Sequence, residues 1–578
     1  MIRFRPMSPR RLCLAALAAA LPATLTLTPT MAGAQPPTCA ELGTDPAHGL
    51  AGNPKITNLT VQIVPPTITP TNAAYCQVDF TFSGKSGPYA GYLPGQSEQV
   101  RIRVGLPPNS RDGGSGGVAG DWNGKNRDLG GGGYVGNVGN VTSSTNRGYV
   151  GTSTDTGHNS AVTPGGSFAL NPDGTLNWGL IRDFARDGIR QQYLWGVRLA
   201  KAYYGMDPLR KYWMGCSTGG RQGHYQAQNF PDAYDGILAG APAFNWDRFI
   251  PAELWPQIVM NQELGAPISG AKLTSVSNAA IAACDAIDGV TDSIVEDPRR
   301  CRYDARSFVC TGGPDDPANC LTGAEAEVVN KIWDGPVTTS AGHGDRHHDS
   351  GRAWYGLEHG APLNALAGGT PFSIAVDHYR YWIKQDPGFD WKTVTEQSFF
   401  GDFVESIEKF NQVIGTDDSL ERFRRAGGKM IVYHGLFDQL IMPRGTYNYY
   451  NGVKGSTHQK QAFYRFFPYP NAFHCGGGTG PQIDAEELFS ALVEWVENGV
   501  EPDYIVATQN ISAPGSPAGT FRTRKICKYP DVQVYLGGDI NDHNSFGCQV
   551  RHEDDRELVE QDELDERFGP GHVIHRHW

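Results

Sequence analysis

The chain of 578 residues carries 49 lysines and arginines against 61 aspartates and glutamates, a formal charge of −12, and is 39% hydrophobic and 11% aromatic. That apolar content builds packed cores rather than a disordered chain, and the length asks for two or three structural units. The acidic balance makes nucleic acid and anionic lipid poor partners.

Residues 1–34 read as a signal peptide. Arg3, Arg5, Arg10 and Arg11 form a basic region, residues 12–21 are apolar but too few to span a bilayer, and Ala32-Gly33-Ala34 offers a cleavage site after Ala34. The competing readings are a membrane anchor and, from Arg10-Arg11, a twin-arginine signal. Without this segment the formal charge falls to −16, 45 basic against 61 acidic groups. No later segment is apolar enough to cross a membrane, so the expected location is secreted or periplasmic. Cysteine usage agrees: of 11 cysteines, Cys13 leaves with the segment and an even ten remain. Cys39 and Cys76, Cys284 and Cys301, Cys310 and Cys320, and Cys527 and Cys548 fall in near pairs, leaving Cys216 and Cys475. Spacing alone does not fix the connectivity.

Residues 35–105 alternate proline-rich turns with β-like runs, at residues 76–82 and 100–104. Residues 111–151 are glycine-rich, and another strand is predicted at 148–151. Asp155-Thr156-Gly157-His158 follows; His158 is expected to be structural or pocket-lining rather than catalytic. Leu194, Val197 and residues 200–202 predict a helix over 191–203. It leads into the apolar run Tyr212-Trp213-Met214 and then Gly215-Cys216-Ser217-Thr218-Gly219, a G-x-S-x-G pattern between a strand and a polar helical stretch. A serine on so sharp a turn stands exposed, and small neighbours are required because a Cβ would meet the returning backbone. With 72 glycines the pattern also arises by chance, and Gly113-Gly114-Ser115-Gly116-Gly117, in a polar loop without flanking elements, is read as a turn.

After a buried-strand run at 236–242 the texture changes. Residues 244–412 hold short helices, loops, cysteines and aromatics, with helices expected at 273–283 and from a Thr322–Glu325 capping box to Gly335-Pro336. This insert is expected to be a lid domain; the alternative is an independent domain in series. The core pattern, residues 35–243, resumes over 413–578. A strand at 429–435 runs into a loop with Asp438, a strand at 463–467 into a loop with His474, and a helix covers 484–498 with Gly499 beyond it. Strand, acid, strand, histidine and helix, in the order Ser217, Asp438, His474, give an α/β fold class of the α/β-hydrolase type. If Cys216 and Cys475 are bonded, their Cα atoms lie about 4.4–6.8 Å apart, and their neighbours Ser217 and His474 come together. Closing a loop of about 260 residues restricts the unfolded chain by roughly 5–6 kcal/mol at most.

On Gly215-Cys216-Ser217-Thr218-Gly219-Gly220-Arg221, His434-Gly435-Leu436-Phe437-Asp438, His474-Cys475-Gly476-Gly477, Cys527-Lys528-Tyr529-Pro530 and Gly537-Gly538-Asp539, the sequence resembles the tannase and feruloyl esterase family. One departure is Pro470-Asn471-Ala472-Phe473, where that family has a Pro-Gly-Met-like turn. The resemblance implies a Cys216–Cys475 bond and a serine carboxylesterase acting on phenolic esters such as feruloyl or galloyl esters, small or polysaccharide-linked. Ser217 would be its nucleophile, His474 its base and Asp438 its orienting acid, with an oxyanion hole from the N–H groups of Thr218 and Gly133 within the 130–133 glycine run. Some relatives cleave aromatic monoesters bearing a free carboxylate, which would call for a lid arginine; Arg352 and Arg380 are available. A peptidase or thioesterase, or a non-catalytic binding protein, are the rival readings. Asp285, Asp288 and Asp292 around Gly289 form a compact acidic turn that suits Ca²⁺ or stands without metal. The resemblance implies a structural Ca²⁺ there, held by Asp285, Asp288, Asp292 and the carbonyls of Val290 and Ile294.

Overall fold

Strand pairing in the computed structural model, which describes residues 35–69, 71–87, 91–337, 352–511 and 519–550, builds one large twisted sheet. Its members are β1 (Ile56–Val64), β2 (Tyr75–Ser86), β3 (Ser97–Leu106), β4 (Lys125–Leu129), β5 (Val150–Thr154), β6 (Arg210–Cys216), β7 (Gly236–Gly240), β8 (Lys429–Gly435) and β9 (Tyr464–Tyr469). They lie in the order β1-β2-β3-β5-β4-β6-β7-β8-β9. The first three contacts are antiparallel and the rest parallel. The expected signal peptide lies outside the described residues.

The parallel strands are covered on both faces, as their unbroken apolar runs require. Along β8, Met430 and Val432 join Trp213, Ile237 and Phe466 on one face. Ile431 and Tyr433 join Tyr212, Leu238 and Phe467 on the other. Two helices bracket β6: α1 (Gly188–Tyr204) before it and α2 (Thr218–Asn229) after it. α1 covers the predicted 191–203 and begins three residues earlier. Leu194 is 43% exposed, while Trp195, Leu199 and Tyr203 are buried. The large ring decides the matter: Trp195 packs on Phe80 with centroids 4.9 Å apart.

The insert supplies α3 (Trp246–Glu253), α4 (Trp255–Glu263), α5 (Gly270–Cys284), α6 (Gly323–Asp334) and α7 (Glu396–Ile414). The Thr322–Glu325 capping box closes α6 at its start, and Gly335 ends it. Start and end of the insert are tied reciprocally: Asn245 N–H donates to Thr416 Oγ1 at 3.0 Å, and Thr416 N–H to Asn245 Oδ1 at 3.2 Å. Its apolar interior is continuous with Tyr134, Phe168 and Phe184 from the glycine-rich half and with Phe437 and Met442 beyond β8. The described residues from Pro36 to Val550 accordingly fall in one compact unit.

After β9, α8 (Ala485–Asn498) is capped by Asp484 and stopped by Gly499 at φ 70°. It presses Leu488, Leu492 and Trp495 on the sheet, each contributing about 1.5–3 kcal/mol relative to exposure. Two hairpins follow, β10 (Tyr504–Asn510) with β11 (Phe521–Cys527), and β12 (Asp531–Tyr535) with β13 (Phe546–Val550). Disulfides join Cys39 to Cys76, Cys216 to Cys475, Cys284 to Cys301, Cys310 to Cys320 and Cys527 to Cys548. Among the described residues no helix is long and apolar enough to cross a membrane.

Candidate active site

Ser217 stands between β6 and α2 at φ 61°, ψ −126°, a conformation L-residues adopt only when their surroundings impose it. Here the backbone does so: Ser217 N–H donates to the Gly240 carbonyl at 2.9 Å, and its own carbonyl accepts from Ala243 N–H at 3.1 Å. The turn leaves no space for side chains beside it. A Cβ on Gly215 would lie 2.8 Å from the Gly219 backbone, and one on Gly220 would lie 2.5 Å from the Gly240 oxygen. The 113–117 glycine run, by contrast, is an exposed turn in which Ser115 binds Asp121.

The Cys216–Cys475 bond spans a sequence separation of 259 and sets the two Cα atoms 5.9 Å apart. Ser217 and His474 therefore line one cavity of ≈ 490 Å³, with the 130–133 glycines, Trp246, Phe249, Ile250, Phe372 and Ile374 in its wall. His474 Nδ1 donates to Asp438 Oδ2 at 2.8 Å, and its N–H to Gln439 Oε1 at 3.1 Å. Burial alone disfavours the imidazolium, but the Asp438 charge and hydrogen bond outweigh it and raise the His474 pKa. Asp438 is fully buried; burial pushes its carboxyl up, yet His474 and His434 hold it well below the usual range. Leu440 and Ile441 N–H groups also donate to Asp438 Oδ1, at 2.8 and 2.9 Å.

His434 had no assigned role in the sequence, although it sits four residues before Asp438. Its Nε2 donates to Asp438 Oδ2 at 3.0 Å, and its Nδ1 lies 2.8 Å from Thr446 Oγ1. With Nε2 the donor, Nδ1 is left facing the threonine hydroxyl, which anchors the ring from its other side.

The glycine run resolves into two pairs. Gly130 N–H donates to the Met214 carbonyl at 2.9 Å and Gly131 N–H to Gln222 Oε1 at 3.1 Å. Gly132 and Gly133 N–H groups have no hydrogen-bond acceptor among the described residues. Thr218 opens α2, where the first N–H groups lack intrahelical partners. Its Oγ1 donates to the Gly133 carbonyl at 2.7 Å and so locks the loop to the helix. His158 is elsewhere, stacked on Phe168 at 4.0 Å and pushed down to about 4 by burial. Neither Arg352 nor Arg380 lines the cavity; they donate to the carbonyls of Asp334 and Phe389. Among the described residues the cavity's one acidic side chain is Glu253, hidden in the sequence within the apolar run Phe249-Ile250-Pro251-Ala252-Glu253-Leu254-Trp255.

The acidic turn of the insert lies next to the histidine loop. Asn471, fully buried at φ 51°, accepts from Val295 N–H at 3.0 Å and donates to the Ser293 carbonyl at 2.7 Å. Burial, with the charges of Asp292 and Asp285, pushes the Asp288 carboxyl up to about 6 against the pull of the Val290 N–H. The carbonyls of Val290 and Ile294 accept no hydrogen bond among the described residues. Hard oxygens on a crowded acidic turn fit a Ca²⁺ ion by donor chemistry. The carboxylates are not all within 4.8 Å of one another, and Asp292 also pairs with Arg524 of β11.

A nucleophile elbow, an acid–histidine pair on the next loops and a mixed sheet with parallel strands at its centre define an α/β-hydrolase. A profile of tannase and feruloyl esterase matches residues 118–549, and the chain belongs to that family. A probable feruloyl esterase of Arthroderma benhamiae is 33% identical over 465 residues, covering 78% of this chain and 83% of its own. A probable feruloyl esterase B of Aspergillus clavatus is 31% identical, with 72% and 77% covered. The crystal structure of feruloyl esterase B from Aspergillus oryzae superposes with a TM-score of 0.71 at 27% identity, over 88% of this chain and 100% of that one. The protein is a carboxylic ester hydrolase.

Proposed function

We propose that the protein is an exported serine esterase of aromatic, phenolic-acid esters, working through an acyl-enzyme. The observation that carries this reading is the single cavity into which Ser217, His474 and the free glycine amides open, with Asp438 bonded behind His474. Ser217 Oγ attacks the ester carbonyl while His474 Nε2 takes its proton, forming a C–O bond and a tetrahedral oxyanion. The N–H groups of Thr218 and Gly133 hold that oxygen. Collapse breaks the bond to the alcohol, which leaves with the proton returned by His474. Water, deprotonated by the same histidine, then attacks the acyl-serine and releases the acid. Asp438 keeps His474 in one tautomer throughout.

The wall of Trp246, Phe249, Ile250 and Phe372 supports an aromatic acyl group. Relatives named feruloyl esterases support a phenolic one. No lysine or arginine lines the cavity among the described residues, which favours neutral acyl groups over those bearing a free carboxylate. The helices over α3–α7 act as the lid in this reading, and five disulfides support an oxidising compartment. Methyl ferulate, methyl gallate and an aryl amide distinguish the classes. Ester turnover lost in Ser217→Ala is expected; faster turnover of the amide, or turnover that survives Ser217→Ala, overturns the proposal.

Asp285, Asp288, Asp292 and the Val290 and Ile294 carbonyls would hold Ca²⁺, which supplies positive charge to a crowded turn and no reacting group. Through Asn471 that turn supports the histidine loop. Chelation is expected to lower Tm, with Ca²⁺ restoring it; an unchanged Tm in the chelator removes the metal from the reading.

A further inference from the structure

Glu253 ends α3 as the only acidic residue in the cavity wall among the described residues, 1% exposed. Its Oε2 is buried without a hydrogen-bond partner among the described residues. Packing does not ask for an acid here, since Ile250, Ala252, Leu254 and Trp255 around it are buried and apolar. A carboxyl left unsatisfied at this depth costs free energy that a leucine would not, and buried polar groups are as a rule paired. The residue lines the space a substrate would enter.

The charge around it decides the form it takes. No lysine or arginine lines the cavity among the described residues, and burial, reinforced by the Asp438 charge, pushes the Glu253 carboxyl well above the usual range. That shift favours the carboxylic-acid form, one O–H donor and one carbonyl acceptor in a wall of Trp246, Phe249 and Ile250. A hydroxyl group, itself donor and acceptor, is the complement of that pair. A second carboxylate would add negative charge beside Asp438.

We propose that Glu253 is the specificity residue for the acyl ring, hydrogen-bonding a phenolic hydroxyl while the apolar wall takes the ring face. This rests on the aromatic-ester reading above. Methyl ferulate and methyl 3-methoxycinnamate differ only in the 4-hydroxyl. The wild-type enzyme is expected to favour the first by about 10–100-fold in kcat/KM, the effect of one buried hydrogen bond. In Glu253→Leu that ratio collapses toward one, and in Glu253→Gln, which keeps a donor and an acceptor, most of it remains. A wild type without hydroxyl preference overturns the proposal even if the leucine variant does not fold, and so does a ratio that survives Glu253→Leu.

Calorimetric binding of the two esters to Ser217→Ala protein, with and without Glu253→Leu, separates this inference from the esterase reading. A binding preference removed by the leucine supports Glu253 even where the wild type hydrolyses neither ester, an outcome that sinks the esterase reading alone. Equal dissociation constants overturn the role of Glu253 even where hydrolysis proceeds.

Discussion

Asp438, on the loop after β8, and Glu253, at the end of α3, are both carboxyls shut away from water at one site, 0% and 1% exposed. Burial pushes both pKa values upward, and each feels the surrounding apolar packing. Their partners then divide them. Asp438 accepts from His474, His434 and two backbone N–H groups and stays ionised. Glu253 has an oxygen with no partner among the described residues and a negative neighbour, which hold its pKa up. Hydrogen-bond donors, rather than depth, decide which buried acid carries charge. In the proposed reading the loop holds a charge that orients a base, and the helix end presents a neutral group to a ligand.

The largest expected break in that comparison is Asp438→Asn. An amide facing His474 Nδ1 presents a donor where an acceptor is needed and favours the wrong tautomer, so kcat should fall by about 10⁴ with the fold retained. The same acid-to-amide change at Glu253 removes no charge, and its cost should be orders of magnitude smaller. Steady-state kinetics of the two variants check this; comparable losses would mean the two acids are not in opposite states. Next in size is Cys216→Ala/Cys475→Ala, which frees the histidine loop from the elbow. About a hundredfold loss in kcat is expected, the scale of an ångström's misplacement, with far-ultraviolet circular dichroism little altered. Full activity in that variant would show that the bridge does not position the base.

His434 tests the Asp438 side more finely. His474 must be neutral to accept a proton, and its pKa is raised, so activity should rise with pH along a limb centred above the ordinary histidine value of about 6.5. His434→Ala removes one donor from Asp438, leaves its charge less compensated and draws the His474 proton more strongly. The limb should move to higher pH and kcat should fall about tenfold, with KM nearly constant. A limb that does not move would make His434 a packing residue only.

What was legible in the sequence was local or sequential. The elbow, the order of Ser217, Asp438 and His474, the Thr322 capping box and Gly499 each announce themselves through neighbours within a few residues. What was not legible depends on which distant elements meet. The inward face of α1 was not legible because Trp195 finds Phe80, 115 positions earlier in the chain. The free amides of the glycine run could be told apart only once Gln222 of α2 had taken Gly131. Asn471 looked like an irregular turn, yet its side chain bridges to residues 293 and 295 of the insert. Glu253 drew no reading at all, since nothing in its own segment says that it borders the cavity.

The smallest effect concerns stability. An acid neutral when folded and ionised when unfolded binds more protons in the native state, so its contribution to stability declines as pH rises above the unfolded value of about 4.3. Below that pH it is neutral in both states and adds no penalty. Glu253→Gln is neutral throughout, so the variant should match the wild type in Tm near pH 4 and exceed it by about 1–3 °C at pH 7–8. Asp438→Asn should move the opposite way. Asp438 is held below its unfolded value, so the stability it adds is present above about pH 4 and is lost as pH falls toward its folded value. The variant should therefore be less stable than the wild type at neutral pH, and the gap should narrow on acidification. Thermal unfolding across this range would show two differences of opposite sign, both closing toward low pH. Differences of the same sign would mean that the two acids share one protonation state and that Glu253 meets the cavity as an anion.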